Sequence, residues 1–560
     1  MSKRSGVLCF LLLAGLFLIV NRAAYKGYFQ DDEFDTLGWA PVGSAATYLI
    51  EALSPRFSPY NFRPTAHLYF HEAALHFGLD FPKYVLIVHL VHLFNVWLIW
   101  LLARRLGASP PAAALACVFF AFHMALFDAF WKPMYIYDVL CAMFCLLSVL
   151  FYARRWWILS FAAYWLAYKS KELAVMLPVA LACYEIWFGQ RRWKPLAAFF
   201  LASLSFGLQG LLLNPNKDNE YTFRFTLDAV RRTSVFYASR ILLVPYLGFV
   251  LPLAAILGRN RRTWFGLALM ASLFLPLLFL PGRLVSAYCY APFTGLAIAV
   301  AGVVEAAGAL PVALLILLWL PLDLRELRAQ RSVTLARDEQ VRQWVAGVER
   351  FAGAAPQFDS VAWAGRIPGF AYWGVNGALA VVFHRPDLKA HFLDGSERPV
   401  DLQSGRMAYL VWNRSAQQLS SAVHTPESAD GSYIRMTDAW GVWQLEKGWN
   451  DVDGGHRWMS PRAAARLQRP VGATRFGLSA IVPWDQLAKV GPVTVHVWLN
   501  DVELEPRQFD HGGEAKLEWN LPPAPAAPVR VMLQAEPAYQ PEKDSVALGI
   551  AVRGFGFVTR

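Results

Sequence analysis

The sequence predicts a polytopic α-helical membrane protein that continues into a small soluble α/β segment and then a β-sandwich. Three observations predict this architecture. The 560 residues are 56% hydrophobic and only 17% charged, whereas a soluble protein usually carries about 25% charged residues. Up to residue 322, apolar residues form runs long enough to cross a bilayer. Beyond that point the composition changes, and short alternating runs typical of strands become frequent.

A membrane-spanning helix needs about 20 mostly apolar residues. Eleven segments are candidates: 6–25, 84–102, 112–130, 135–152, 156–168, 173–188, 195–213, 235–257, 264–280, 285–304 and 309–322. The fifth and the last are short, so either is alternatively a re-entrant segment. Several gaps between these segments carry basic clusters: Lys3-Arg4, Arg104-Arg105, Arg154-Arg155, Arg191-Arg192, and Arg259 with Arg261-Arg262. Because Lys and Arg collect on the cytoplasmic side, the opposite gaps are expected to face outward, as is the region from residue 323.

These patterns predict three domains. Residues 1–323 form the transmembrane domain, whose first outward loop covers about 26–83. Residues 324–445 form a small α/β domain, because 324–352 has helical periodicity and strand-like 360–364 and 407–412 flank a helical 374–383. Residues 446–560 form a β-sandwich, predicted from alternating runs at 475–481, 493–499, 515–519, 529–534 and 547–552.

Composition also argues against some classes of function. The net charge is +11, but basic pairs beside membrane spans account for this excess, so no nucleic-acid partner is predicted. The six cysteines end at Cys289, so the C-terminal region forms no intrachain disulfide, and no C-x-x-C motif indicates a zinc site. No glycine-rich dinucleotide fingerprint follows a strand, so no nucleotide cofactor is predicted.

A dense acidic cluster follows the first span. It comprises Asp31, Asp32, Glu33 and Asp35. Carboxylates at such a position act as a general base on an acceptor hydroxyl, or they hold a divalent cation. The alternative is a solvated acidic loop without a chemical role.

Charged residues at the outward ends of later spans are further candidates. Asp138 lies inside the outer end of the fourth span, where an ionisable side chain usually faces a cavity or a partner; otherwise it reaches to the membrane interface. Four cations lie at the same level and suit a phosphate, namely Arg63, Lys169, Lys171 and Arg283, with Glu172 beside them. For each cation alone, interfacial anchoring is the alternative.

Histidines are frequent in the first outward loop and the second span. His67 and His71 lie four residues apart on one helix face, a spacing that can bind a metal ion. No His-Glu-x-x-His motif occurs, so packing at the membrane interface is the competing interpretation.

Six motifs, in order along the chain, resemble those of membrane glycosyltransferases of the GT-C fold. The resemblance is to the protein O-mannosyltransferase and transmembrane-and-tetratricopeptide branches, including bacterial relatives. The motifs are Asp31-Asp32, Phe62-Arg63-Pro64-Thr65, the segment from His89 to Asn95, Phe120–His123 running on to Asp138, Ser170-Lys171-Glu172 followed by Leu177-Pro178, and the segment from Arg283 to Pro292. The chain departs from the family at Met124, where the family prefers proline, and it lacks tetratricopeptides. Its C-terminal part resembles β-sandwich modules appended to bacterial glycosyltransferases.

This resemblance implies an inverting transfer from a polyprenyl-phosphate sugar to an extracytoplasmic hydroxyl of a glycan, lipid or protein. Asp32, or else Asp31, takes the proton from the acceptor. Arg283, Lys171 and Arg63 stabilise the leaving phosphate. Asp138, Glu172 and Glu33 orient these groups or the sugar. No cofactor is required, and a divalent cation stays open as an alternative.

The resemblance also implies a location, the bacterial inner membrane, with the C-terminal domains on the periplasmic side. Two other functions compete with transfer. One is a transporter or flippase of lipid-linked glycans, although such proteins usually carry polar groups at the bilayer midplane and internal repeats. The other is a non-catalytic glycan-binding membrane protein, for which Trp449, Trp458 and Trp484 offer aromatic surfaces.

Overall fold

The computed structural model describes residues 3–56, 62–213, 218–354, 357–367, 369–393, 405–541 and 546–558. Segment 57–61, in the predicted first outward loop, and segment 394–404 lie outside these residues. The chain forms two compact units. The first comprises Met1–Phe29 and Trp39–Ala336, and the second comprises Gln30–Gly38 and Arg337–Arg560. The acidic segment after the first span therefore belongs to the second unit, although the sequence places it inside the predicted domain 1–323.

The first unit is helical. Its helices are α1 (Lys3–Val20), α3 (Ala45–Leu53), α4 (Pro64–Phe77), α5 (Phe81–Arg105), α6 (Pro110–Ala121), α7 (Phe127–Trp131), α8 (Ile136–Ala153), α9 (Trp157–Ser170), α10 (Leu177–Trp187), α11 (Leu196–Leu213), α12 (Leu227–Ile241), α13 (Val250–Gly258), α14 (Arg261–Phe274) and α15 (Tyr290–Ala307). The acidic segment forms α2 (Asp31–Trp39), and α16 (Ala309–Ala354) runs through the boundary between the units at residue 336.

Among the described residues, five helical segments are long and apolar enough to cross a membrane. They are Phe81–Arg105, Pro133–Ala153, Leu196–Leu213, Arg261–Phe279 and Ser286–Ala307. Helices α6 and α7 make a sixth if the pair, bent by 45°, counts as one span. All six coincide with predicted spans, and the total of eleven stays a prediction.

The other predicted spans are shorter or interrupted. The predicted span 235–257 is divided into α12 and α13 by a break at which Leu243 and Tyr246 adopt left-handed backbone conformations. Such residues end a helix, because side chains with a Cβ atom tolerate these angles only singly. The predicted span 173–188 begins as the 3₁₀ turn Glu172–Met176 before α10. This turn places Lys171 and Glu172 at a helix junction.

Close helix packing in the first unit depends on glycine. Helices α14 and α15 approach each other at Gly266, Gly295 and Gly302. A Cβ atom at Gly295 would lie only 2.5 Å from the backbone nitrogen of Met270. Replacing this hydrogen by a methyl group would therefore separate the two helices, and the residues beside Tyr290 would move with them.

The second unit begins with an α/β layer. Its described strands β1 (Ser360–Ala364), β2 (Lys389–Phe392), β3 (Met407–Asn413) and β4 (Gln418–His424) form a sheet of order β2-β1-β3-β4. Strand β1 is parallel to both neighbours, and β3 pairs antiparallel with β4. Helix α17 (Tyr372–Val382) connects β1 to β2. Strands β1 and β3 are buried throughout, as expected for the centre of a covered sheet.

Two antiparallel sheets follow. Their strands are β5 (Tyr433–Arg435), β6 (Trp449–Asp453), β7 (His456–Met459), β8 (Arg462–Arg469), β9 (Arg475–Val482), β10 (Val493–Leu499), β11 (Val502–Glu503), β12 (Arg507–Phe509), β13 (Gly513–Asn520), β14 (Ala527–Glu536) and β15 (Ala551–Val558), with α18 (Trp484–Val490) between β9 and β10. One described sheet has the order β11-β10-β14-β8 with β12 beside β10. The other has the order β13-β9-β15-β7-β6 with β5 beside β15.

Residues from both sheets share one apolar core, so the predicted sandwich is present. Strand β5 precedes residue 446, the predicted domain boundary, and nevertheless pairs with β15. The domain boundaries at 323 and 445 stay predictions.

Candidate functional site

The first element of the site is a bidentate ion pair between Arg63 and Glu172. Arg63 immediately precedes α4, whose first residue is proline, a favoured helix start. Its Nε donates to Glu172 Oε1 at 3.1 Å, and its Nη2 donates to Oε2 at 3.1 Å. The guanidinium carbon lies 5.2 Å from the centre of the Tyr137 ring. The pair joins the Phe-Arg-Pro-Thr motif to the Ser-Lys-Glu motif, 109 residues away.

A second ion pair uses the residue next to Glu172. Lys171 Nζ lies 2.6 Å from both carboxylate oxygens of Asp138. The Lys171 side chain is 7% exposed and the Asp138 side chain is 1% exposed. Removing two charges from solvent is unfavourable unless they compensate each other, so each holds its partner in place. Asp138 therefore faces a partner, and the alternative of a side chain reaching to the interface is wrong.

Tyr288 connects this pair to Arg283. Lys171 Nζ lies 3.9 Å from the centre of the Tyr288 ring. The Tyr288 hydroxyl accepts a hydrogen bond from Arg283 Nη2 at 3.0 Å. Arg283 Nη1 donates to Glu220 at 3.1 Å, and the guanidinium also lies over the Tyr221 ring. We call Arg63, Asp138, Lys171, Glu172, Arg283 and Tyr288 the cationic cluster, since Lys171 and Arg283 both contact Tyr288 and Arg63 pairs with the residue next to Lys171.

Some donors near this cluster are unsatisfied. Within the described part of the chain, Arg283 Nε and Arg240 Nε are buried and have no hydrogen-bond acceptor. Cys289 lies within electrostatic range of both Arg240 and Asp138. Buried N–H groups nearly always have a partner, so two such donors near one cluster suit an anionic ligand.

Arg240 was not predicted as a site residue. The signal was present in the sequence, because an arginine inside the predicted span 235–257 is unusual in a membrane segment and commonly functional.

Charge and burial set the protonation states around Arg63. Burial alone would lower the pKa of the Arg63 guanidinium, but the Glu172 carboxylate raises it above its usual value. Burial alone would raise the pKa of Glu172, but Arg63 lowers it below its usual value. Burial, together with the Arg63 charge, lowers the pKa of His67 to about 3. At neutral pH, His67 is therefore neutral beside the charged Arg63.

The predicted histidines serve as hydrogen-bonding groups inside the helical unit. His67 Nδ1 accepts from the Arg63 backbone N–H at 3.0 Å, and His71 Nδ1 lies 3.0 Å from the Ala40 carbonyl. His92 Nδ1 lies 2.7 Å from the Tyr290 hydroxyl. Among the residues that the structure describes, no group of three or more His, Cys, Asp or Glu side chains is arranged to hold a metal ion.

Lys169 lies apart from the cationic cluster. Its ammonium donates to the backbone carbonyl of Arg56 at 2.9 Å and lies over the Phe206 ring. Lys169 thus holds the chain at Arg56, in the predicted first outward loop.

The predicted acidic residues lie in α2, in the second unit. Asp31 Oδ1 accepts from the backbone N–H of Ala371 at 2.5 Å, and Asp32 Oδ1 accepts from the indole Nε1 of Trp373 at 3.1 Å. Glu33 is buried and accepts from the Gln30 backbone N–H at 3.0 Å. The acidic segment is thus an ordered helix rather than a solvated loop.

The structure therefore groups the predicted site residues into two sets. Arg63, Asp138, Lys171, Glu172 and Arg283 form one cluster in the helical unit. Asp31, Asp32 and Glu33 form a second set in the strand-rich unit. The first set offers positive charge to an anion. The second set offers carboxylates to a proton donor, and Asp32 is exposed.

Comparisons with known proteins give one structural likeness. No protein-family model matches the sequence, and no curated protein matches it. The crystal structure of ArnT from Cupriavidus metallidurans bound to undecaprenyl phosphate is similar, with 14% sequence identity and a TM-score of 0.44. The similarity covers 73% of this chain and 94% of that chain.

Proposed function

We propose that this protein is a membrane glycosyltransferase that moves a sugar from a polyprenyl-phosphate donor to an acceptor hydroxyl. The observation that carries the proposal is the cationic cluster. It gathers side chains from four separate motifs, each of which resembles a motif of GT-C glycosyltransferases. Asp138 lies in the apolar helix α8, and Lys171 and Glu172 lie where the apolar helices α9 and α10 meet. Such a cluster suits a ligand with an anionic head and a long apolar tail.

The cluster has the chemistry needed to stabilise a leaving phosphate. As the bond between the anomeric carbon and the phosphate oxygen breaks, negative charge develops on that oxygen, and fixed cations stabilise it. Lys171 is held by Asp138, so it is oriented before the donor binds. Arg283 has a free, buried Nε within the described residues, and Arg63 can exchange Glu172 for a phosphate oxygen.

The attacking side requires a base, and Asp32 has this role. Its carboxylate takes the proton from the acceptor hydroxyl. The acceptor oxygen then bonds to the anomeric carbon, and polyprenyl phosphate leaves with the bonding electrons, which inverts the configuration. Asp31 is the second choice for the base, because it is less exposed than Asp32. The transfer takes place on the extracytoplasmic face of a bacterial inner membrane, with a hexose, as in the mannosyltransferases that the chain resembles.

Release of polyprenyl phosphate from a polyprenyl-phosphate hexose, in detergent or nanodiscs, tests this proposal. Arg283→Ala is expected to reduce turnover by about 10²–10³-fold, the usual effect of removing a transition-state donor. Asp32→Asn is expected to reduce it by about 10²–10⁴-fold. Arg224→Ala is the matched control, since Arg224 forms an exposed ion pair with Asp218 in a neighbouring loop. It should turn over at the wild-type rate.

The same assay separates the competing functions. A flippase would move the lipid-linked sugar across a vesicle bilayer without releasing polyprenyl phosphate. A glycan-binding protein would bind soluble oligosaccharides through its sandwich, where Trp449 is part of the core but Trp484 is 68% exposed. Equal turnover of wild type and Arg283→Ala would contradict the proposed role of the cluster.

A further inference from the structure

The acidic helix α2 packs closely on helix α17 within the second unit. A Cβ atom at Gly374 would lie 2.6 Å from the Asp31 Cα atom, and a Cβ atom at Gly377 would overlap the Phe34 carbonyl oxygen. A Cβ atom at Gly38 would lie 3.1 Å from the Gly377 Cα atom. Only residues without side chains allow two helix backbones to approach so closely. Helix α17 therefore fixes the backbone of the acidic segment.

The two aspartates are held in different ways. Asp31 accepts from the backbone N–H of Ala371, the residue that precedes the first turn of α17. Its carboxylate therefore acts as a cap for a helix that has no cap of its own. Asp32 accepts from the Trp373 indole, and this side chain is 43% exposed. One oxygen of Asp32 is thus oriented by a rigid aromatic donor, while the residue itself is exposed.

We infer that Trp373 is a positioning residue for the base Asp32, so that the strand-rich unit takes part in catalysis by orienting the carboxylate. The inference rests on the proposed function. The indole donor fixes the rotamer of the Asp32 carboxylate. The second carboxylate oxygen then takes the proton from the acceptor hydroxyl. Asp31 is assigned a structural role at the start of α17.

The observations favour this assignment over a purely structural tryptophan. A tryptophan that served packing alone would bury its ring, yet this ring is nearly half exposed and its N–H is aimed at a carboxylate. The adjacent Tyr372 is also exposed, at 61%, and packs edge-to-face against Trp373 with ring centres 5.3 Å apart. The neighbour thus offers a matched control of similar size and exposure.

The test is a double-mutant cycle between Trp373→Phe and Asp32→Asn, with Tyr372→Phe as the control. Trp373→Phe keeps the ring and removes only the donor. It is expected to lower kcat about tenfold, as for a lost hydrogen bond to a charged group, and to leave the KM for the donor lipid unchanged. In the Asp32→Asn background it should have little further effect on the residual rate, since the base is already absent. Tyr372→Phe should turn over at the wild-type rate.

A second measurement needs no activity. The indole N–H of Trp373, followed by NMR, is expected to exchange faster with solvent in Asp32→Ala than in wild type, because its acceptor is lost. Equal indole exchange in Asp32→Ala and wild type, or an equal loss of turnover from Trp373→Phe in both Asp32 backgrounds, would overturn the inference. If the wild type transfers no sugar from any donor, the proposed function fails, and the exchange experiment still decides whether the Trp373 indole donates to Asp32.

Discussion

The cationic cluster and the aspartates of helix α2 are held by different forces. In the helical unit, Lys171 and Arg63 are held by opposite charges on Asp138 and Glu172. In the second unit, Asp31 and Asp32 lie on a helix that is fixed by close backbone packing, and neutral N–H groups donate to their carboxylates. Substitutions that remove a paired charge should therefore disturb the cations. Substitutions that add volume between α2 and α17 should disturb the carboxylates.

The difference also has a chemical meaning. A buried ion pair is rigid, because each charge would be strongly unfavourable without its partner. A group that binds phosphate gains from this rigidity, since its orientation does not change during the reaction. A general base must instead stay accessible to its acceptor. Packing of the α2 backbone holds Asp32, the proposed base, while leaving this residue exposed.

The largest expected effect is that of Lys171→Met. It leaves the Asp138 carboxylate buried without a counter-charge, which should destabilise the helical unit by about 3–5 kcal/mol. Thermal unfolding in nanodiscs measures the loss. The control is the double variant Asp138→Leu/Lys171→Met, which should recover most of the stability but not the activity. If the single variant unfolds at the wild-type temperature, Lys171 is not held by charge compensation.

Gly377→Ala tests whether close backbone packing holds helix α2 and its aspartates. The added methyl group would overlap the Phe34 carbonyl oxygen, and the helices α2 and α17 would have to separate. We expect a loss of about 1–3 kcal/mol, typical of overpacking, and reduced turnover because Asp32 moves with its helix. Gly353→Ala, at an open position near the end of α16, is the control and should be neutral. Unchanged turnover in Gly377→Ala would show that the position of α2 does not matter for the reaction.

Much of this architecture could be predicted from the sequence. Six predicted spans, helix α4 and most sandwich strands agree with the structure, because apolar periodicity and alternation are local signals. The exception among the strands is 547–552, where the regular strand begins only at Ala551. Each charged candidate could also be identified on its own, because an ionisable group at the end of a membrane span is rare.

The pairing of these candidates could not be predicted in the same way. Arg63 and Glu172 are 109 residues apart, and nothing local to either residue indicates the other. The packing of α2 on α17 depends on Gly374 and Gly377, which lie more than 330 residues after the acidic segment. A contact of this kind is set by tertiary structure alone. The role of Trp373 was missed for the same reason.

A smaller effect concerns the pH dependence of stability near Arg63. The pKa of His67 is lowered to about 3 in the folded protein, against about 6.5 in an unfolded chain. Between these values the unfolded state binds the proton more readily, so stability falls as the pH falls. We expect a loss of about 2 kcal/mol by about pH 5. His67→Asn keeps an acceptor for the Arg63 N–H and should flatten this dependence when unfolding is followed from about pH 7 to pH 5. An equally steep loss in His67→Asn would assign the titration to another group.

The smallest effect on stability is expected for Glu172→Gln. The Glu172 side chain is 42% exposed, and exposed ion pairs contribute about 1 kcal/mol or less. Because Arg63 lowers the pKa of Glu172, this contribution is complete above the usual carboxyl pKa, about 4.3, and is lost as the pH falls through the lower folded value. In Glu172→Gln, this part of the loss of stability at acidic pH should be absent when unfolding is followed against pH.

Glu172→Gln should weaken stability slightly but strengthen the binding of polyprenyl phosphate. If a phosphate oxygen replaces Glu172 on Arg63, removing the competing carboxylate should lower the Kd for polyprenyl phosphate by about fivefold, the size of a lost exposed ion pair. Binding of fluorescent polyprenyl phosphate in nanodiscs measures this change. Glu72→Gln, which alters an exposed carboxylate beside His76 on α4, is the matched control and should bind as wild type. Weaker binding by Glu172→Gln would mean that Glu172 orients Arg63 for the phosphate instead of competing with it. The partly exposed Arg63–Glu172 pair would then be as fixed during binding as the buried Lys171–Asp138 pair.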